Sequence, residues 1–132
     1  MANAPAVLVF ETSKPIPFIV ADGASIEKGD FLQLTTPMTA SLVDGDDKIA
    51  CGIAAEEKIA NDGKTKIAVY RRGYFKVEVG TTGATTGKDA VCEAKNELKD
   101  YDTLDDEAGK KFGKFLESGT DGQFVMFELQ VA

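Results

Sequence analysis

The chain has 132 residues, of which 43% are hydrophobic, so it can bury one core and is not expected to be disordered. Its formal net charge of −7 argues against nucleic acids and anionic membranes as partners, because an acidic surface repels phosphate groups. Histidine is absent, which excludes every Ser–His, Cys–His and His–metal arrangement.

The N-terminal region contains an apolar, β-prone run at residues 6–10, which is followed by Pro15 and Pro17. The run is too short to span a membrane, and no basic segment precedes it, so we expect a soluble chain without an export signal. Because proline cannot donate to a β-ladder, we predict that residues 1–17 form an extended arm outside a β-barrel-like domain at residues 18–132. The candidate contacts of this arm with a neighbouring protein are Ala6, Val7, Leu8, Val9 and Phe10. Alternatively, this run is the first strand of the chain's own barrel.

The next segments predict two strands and one helical turn. Residues 30–36 are rich in β-formers, and Pro37 ends them. Residues 49–54 have large side chains at a period of two, which predicts a strand. Residues 55–60 could hold one helical turn before the turn residues that follow.

The cysteines are expected to be small buried residues. Cys51 alternates with Ile49 and Ile53, which places it on the apolar side of its predicted strand. Cys51 and Cys92 lack the spacing of a zinc site, and the sequence leaves a disulfide between them open. Without an export signal, we expect Cys51 to be a free thiol.

A hairpin is predicted in the middle of the chain. Residues 65–70 and 74–79 both alternate apolar and polar side chains. Three residues join them, and the last, Gly73, suits a turn with a bulge. Arg71 and Arg72 would then lie at the hairpin tip, where they could meet an acidic partner or simply be solvated.

The C-terminal half predicts further strands. Residues 80–87 are a glycine–threonine connector without the ending of a phosphate-binding loop, and residues 90–94 form a short strand. Residues 95–109 could be a helix or an exposed loop. Residues 111–117 and 124–131 predict a second hairpin. About seven strands separated by turns indicate a mostly β protein, a barrel or sandwich with at most a short helix.

No motif carries chemistry. The serines lie outside a nucleophile elbow, and the acidic clusters at residues 44–47 and 105–107 do not fit an EF-hand. The sequence therefore predicts a protein that is not an enzyme and has no catalytic residues, metal site or cofactor.

Four segments together resemble the small capsid decoration, or cement, proteins of tailed double-stranded DNA phages. These are a turn and strand at residues 20–35, a glycine-containing strand at 49–55, a strand ending in glycine at 67–73, and the C-terminal hairpin from residue 111. The resemblance spans about residues 18–131 and is carried by patterns of glycines and strands.

The resemblance implies a β-tulip or barrel core and a structural function in the virion. The protein would be made in the host cytoplasm and would bind the outer capsid surface as a homotrimer. There it would stabilise the shell by bridging subunits of the major capsid protein. The alternative is a non-catalytic β-barrel that binds a ligand or serves as a carrier module.

Overall fold

A computed structural model describes residues 4–46, 48–101 and 109–131, which fold into β-strands and loops. The mostly β, barrel-containing fold predicted from the sequence is confirmed, and no helix occurs in these residues. The strands are β1 (Val7–Phe10), β2 (Ile16–Ile19), β3 (Phe31–Thr36), β4 (Thr39–Leu42), β5 (Ala50–Ala54), β6 (Lys66–Tyr70), β7 (Arg72–Val79), β8 (Asp89–Ala94), β9 (Glu97–Asp100), β10 (Lys111–Phe115) and β11 (Phe124–Gln130).

Strands β2 to β6 close into a barrel, which we call barrel 1. The order around it is β2-β4-β3-β5-β6. All neighbours are antiparallel except β2 and β4, which pair in parallel at Ile19 and Thr39. The structure therefore places Ile16 and Pro17, which we expected in the arm, within the first strand of this barrel.

The remaining strands form a six-stranded sheet in the order β1-β7-β11-β10-β8-β9. An additional parallel pairing between β7 and β9 joins Glu78 to Glu97 and Val79 to Leu98. This pairing closes β7 to β11 into a second ring, which we call barrel 2. Strand β1 lies outside the ring and pairs with the middle of β7, at Tyr74, Phe75 and Lys76.

The two barrels repeat the same topology. Strands β7 to β11 pair with one another in the same order and senses as β2 to β6, including the single parallel pair. Residues 29–42 correspond to residues 87–100 without insertion, and both segments carry a bulge at the same position. The chain is thus a tandem repeat of one five-stranded barrel.

The interiors of the two barrels are filled by equivalent positions. Barrel 1 is filled by smaller residues and barrel 2 by more aromatic ones, but every position is buried. The inward residues of barrel 1 are Phe18, Val20, Ile26, Leu32, Ala40, Cys51, Ala54, Ile67 and Val69, and their equivalents in barrel 2 are Val77, Val79, Ala84, Ala90, Leu98, Phe112, Phe115, Val125 and Phe127.

The outer wall of barrel 1 packs on the core of barrel 2. Phe31 points out of barrel 1 and meets Phe112 edge-on, with ring centroids 5.3 Å apart. Tyr70 meets Phe75 in the same way. The remaining wall residues are also apolar, whereas the equivalent positions of barrel 2 are mostly charged. The wall residues of barrel 1 are Phe31, Val43, Ala50, Ile53 and Tyr70; their equivalents are Asp89, Tyr101, Lys111, Lys114 and Glu128. A charged wall gives no apolar surface on which a further barrel could pack in the same way.

The predicted hairpin in the middle of the chain is wrong. Strands β6 and β7 do not pair, because the chain passes at Arg71 from barrel 1 into barrel 2. Each strand instead pairs within its own barrel. The C-terminal hairpin of β10 and β11 is confirmed. Residues 65–70 and 74–79 alternate as the strands of a hairpin do, so alternation alone did not reveal which strands are partners.

The helical turn predicted over residues 55–60 is also absent. Ile26 and Lys58 exchange backbone hydrogen bonds, which keeps this segment extended. The Lys58 side chain is fully buried, and its ammonium donates to the carbonyl oxygens of Asp22 and Ile59 and to the carboxylate of Asp62. The hydrogen bond from the Lys58 ammonium lowers the pKa of Asp62 to about 2. These bonds tie the loop to barrel 1 without helical structure.

A bulge in β5 changes the predicted neighbours of Cys51. The pairing of β5 with β3 shifts register at this point, leaving Cys51 as the extra residue. Cys51 therefore points into barrel 1, whereas Ile53 packs against barrel 2 and Ile49 is exposed. The expected alternation of these three residues on one face is wrong for this reason.

Candidate docking surface

The arm is held at its base in the seam between the barrels. The backbone N–H of Ala4 donates to Glu78 of barrel 2 at 3.0 Å, and that of Ala6 donates to the carbonyl of Gly29 of barrel 1 at 2.9 Å. A Cβ at Gly29 would collide with the carbonyl oxygen of Ala6, so glycine permits this close approach. Ala6, one of the five predicted contact residues, is thus buried in the seam between the two barrels and does not face a neighbouring protein.

The other four predicted contact residues form β1. This strand pairs with β7 through Val7, Leu8 and Phe10, and the described part of the chain offers no partner for its other edge. All four side chains are exposed, with Phe10 the most exposed at 63%. An apolar strand with a free edge is a surface that proteins normally protect. We call the side chains of Val7, Leu8, Val9 and Phe10 the ridge.

A second exposed apolar feature lies on the outer wall of barrel 1. Pro17, Ile19, Met38 and Lys66 line a cleft of about 280 Å³. They come from β2, from the β3–β4 turn and from β6, so sequence analysis had no signal that could join them. Met38 has a positive φ of 54° and is 53% exposed. We call this feature the cleft.

The equivalent wall of barrel 2 is covered. Asn96 is the counterpart of Met38, with a φ of 60°, but it is only 1% exposed. Its amide donates to Asp30 at 2.8 Å and accepts from the N–H of Phe31 at 2.8 Å. Glu78, the counterpart of Ile19, is buried under the arm. The pKa of the neighbouring Glu97 is raised, first by its own burial and then by repulsion from the Glu78 carboxylate. The wall that is polar and covered in barrel 2 is therefore apolar and open in barrel 1.

The basic pair expected at a hairpin tip has a different position. The Arg71 guanidinium lies 5.4 Å from the centroid of the Phe18 ring, at the junction between the barrels. Arg72 begins β7 and is exposed. Arg71 is thus packed against an aromatic ring while Arg72 is exposed, and the two do not lie together at the tip of a hairpin.

Neither the thiols nor the carboxylates form a reactive cluster in the described ranges. Both cysteines are buried and free, as predicted for Cys51. In the parts of the chain that the structure describes, no three His, Cys, Asp or Glu residues are placed to hold a metal ion. The acidic cluster at residues 105–107 and Asp47 of the cluster at 44–47 lie outside the described residues, as do residues 102–108 of the ambiguous segment.

Thiol labelling should report the closed state of barrel 1. Burial raises the pKa of the Cys51 thiol to about 11 and also raises that of Cys92, so little thiolate is present near neutral pH. We expect native protein at pH 8 to react with a thiol reagent at least ~100-fold more slowly than protein in urea. Mass spectrometry after timed quenching measures both rates. Fast native labelling, or a Cys51–Cys92 bridge without reductant, would contradict this expectation.

The fold defines a small tandem-barrel protein, and its described residues include two exposed apolar surface features, the ridge and the cleft. No helix long and apolar enough to cross a membrane occurs in the described ranges. A scan of protein-family models and a search of curated proteins find no match to this chain.

Proposed function

We propose that the protein is a structural virion component that binds the outer surface of a phage capsid as a homotrimer and stabilises the shell by bridging major capsid protein subunits. The observation that carries the proposal is the ridge, an apolar strand held firmly on β7 with both faces and one edge open. A surface of this kind is suited to a permanent neighbour. The family resemblance of residues 18–131 supports a phage decoration protein.

The alternative, a barrel that binds a small ligand, has less support. The interiors of both barrels are occupied by packed side chains rather than by a cavity. The cleft, at about 280 Å³, is smaller than most small-molecule sites, which range from roughly 300 to 1,000 Å³. It has room for one or two side chains of a neighbouring protein.

Substitutions in the ridge should weaken attachment to particles without unfolding the protein. The double variant Leu8→Ser/Phe10→Ser removes two exposed apolar side chains, each contributing about 1–2 kcal/mol if buried on the particle. We expect at least ~10-fold weaker binding to capsids of the parent phage stripped of this protein. Cosedimentation of purified protein with these capsids measures the change.

Ile59→Ser provides the matched control, because Ile59 is also exposed and apolar but lies on the loop after β5. This variant should bind like wild type, and all proteins should melt within a few degrees of one another. Failure of wild-type protein to bind the capsids would overturn the proposed function. Equal binding by the ridge variant would show that the ridge contributes to attachment neither by contact with the shell nor by contact with a neighbouring copy of the protein.

A further inference from the structure

The cleft lies on a wall of barrel 1 that is open to solvent, whereas the equivalent wall of barrel 2 is covered. In barrel 2 the corresponding wall is covered inside the chain, by Ala4 of the arm and by Asp30 of barrel 1. In barrel 1 it is open, although Ile19 and Met38 stand where Glu78 and Asn96 stand in barrel 2. The open wall thus carries apolar residues and the covered wall polar ones. Solvent exposure normally favours the reverse. The open wall is therefore suited to an apolar partner.

The cleft combines an apolar surface with one available positive charge. Pro17, Ile19 and Met38 supply the apolar lining, and Lys66 stands at the rim. Lys66 forms no ion pair with any described residue. The matching chemistry is an exposed apolar side chain next to a carboxylate.

The ridge of the same protein has this chemistry. Phe10 is its most exposed side chain and is followed directly by Glu11, which is also exposed. Within one chain the ridge is fixed on β7 of barrel 2, whereas the cleft is lined by β2, the β3–β4 turn and β6 of barrel 1. Each molecule therefore carries one copy of each complementary feature at a different site.

We propose that the partner of the ridge is a second copy of this chain, whose cleft receives Phe10 while its Lys66 faces Glu11. The contact is head to tail, since it joins two different surfaces. Such contacts close into a ring or continue as an open chain. A ring that closes after three copies would be the homotrimer, and only this number of copies rests on the proposed function.

The prolines determine how the ridge can engage barrel 1. The amides of Val20 and Ile19 point to opposite sides of β2, towards Thr65 and Met38 respectively. Because strand amides alternate, positions 15 and 17 face the same side of β2 as the Ile19 amide, beyond the single pairing with β4, and both are prolines without an N–H. Their equivalents in barrel 2, Tyr74 and Lys76, pair with β1. A second copy's ridge therefore binds barrel 1 through side chains and is prevented from adding as a strand.

Mixing two variants in solution, without capsids, tests this contact. Phe10→Asp removes the ridge but leaves the cleft, and Met38→Glu places a carboxylate in the cleft but leaves the ridge. Because the contact is small, sedimentation equilibrium should extend to about 1 mM protein. We expect wild type to self-associate and each variant alone to lose at least ~10-fold in association constant. The equimolar mixture should form a heterodimer, because one intact ridge then meets one intact cleft.

Ile59→Glu is the control for adding a negative charge to an exposed apolar site, and it should associate like wild type. Wild type that stays monomeric at 1 mM would overturn the proposal, as would a mixture that stays monomeric. Undiminished association of Phe10→Asp would also overturn it. Because this experiment contains no capsid, its outcome is independent of the capsid-binding experiment. Self-association without capsid binding would overturn only the proposed function, and capsid binding without self-association would overturn only this contact.

Discussion

Replacing Gly113 with alanine is expected to lower the free energy of unfolding by about 3 kcal/mol or more. Gly113 lies in the middle of β10, where an added Cβ would collide with the carbonyl oxygen of Glu128 on β11. That oxygen belongs to the backbone of a paired strand, so relief requires the two strands to separate. Urea unfolding followed by circular dichroism measures the loss.

Gly52 provides an internal replicate of this experiment. It occupies the equivalent position in β5, where a Cβ would collide with the carbonyl oxygen of Tyr70. We expect Gly52→Ala to cost as much as Gly113→Ala. Gly87→Ala is the control, because Gly87 has a φ of +88° but open space around its Cβ. It should lose only the roughly 1–2 kcal/mol of a left-handed alanine. If all three variants lose equally, the steric explanation is wrong.

Replacing Asn96 with alanine is expected to cost about 2–4 kcal/mol. The variant removes the amide that pairs with the Asp30 carboxylate and leaves the N–H of Phe31 without its acceptor. Both groups are buried in the seam between the barrels, so water cannot readily replace the lost bonds. Thermal and urea unfolding measure the effect.

Asn61→Ala separates the hydrogen bonds from the backbone conformation. Asn61 also has a positive φ, 64°, but it is exposed in a loop. This control therefore measures the cost of placing alanine in a left-handed conformation, about 1 kcal/mol. The difference between the two variants reports the buried bonds. Equal losses would contradict a stabilising function for the Asn96 network.

These two predictions concern the features that define the fold. The paired glycines allow adjacent strands of each small barrel to approach closely, and the Asn96 network joins the barrels to each other. The seam also receives the base of the arm through Glu78 and Gly29. A weakened seam should therefore release the ridge as well, which links the stability of the fold to presentation of the docking surface.

The sequence by itself determined the class of fold and several strands. Short runs of β-prone residues located β5, β8 and the β10–β11 hairpin, although the alternation expected in β5 was wrong, and Pro37 marked the end of β3. These features depend on residues close together in the chain, because the side-chain period of a strand is local. The exposed apolar run at residues 6–10 was visible for the same reason.

Only the tertiary structure decided how the strands are partnered. Residues 65–79 alternate as a hairpin would, yet β6 and β7 belong to different barrels, because alternation specifies a buried face and not the neighbour that covers it. The repeat is not visible in the sequence because equivalent inward positions carry residues of different size. Cys51 and Phe112, for example, are equivalent and both buried. The cleft joins residues from two strands and a turn that are distant in the sequence, so no local pattern could predict it. Burial is tolerant of residue identity, and contacts between distant segments leave no periodic signal in the sequence.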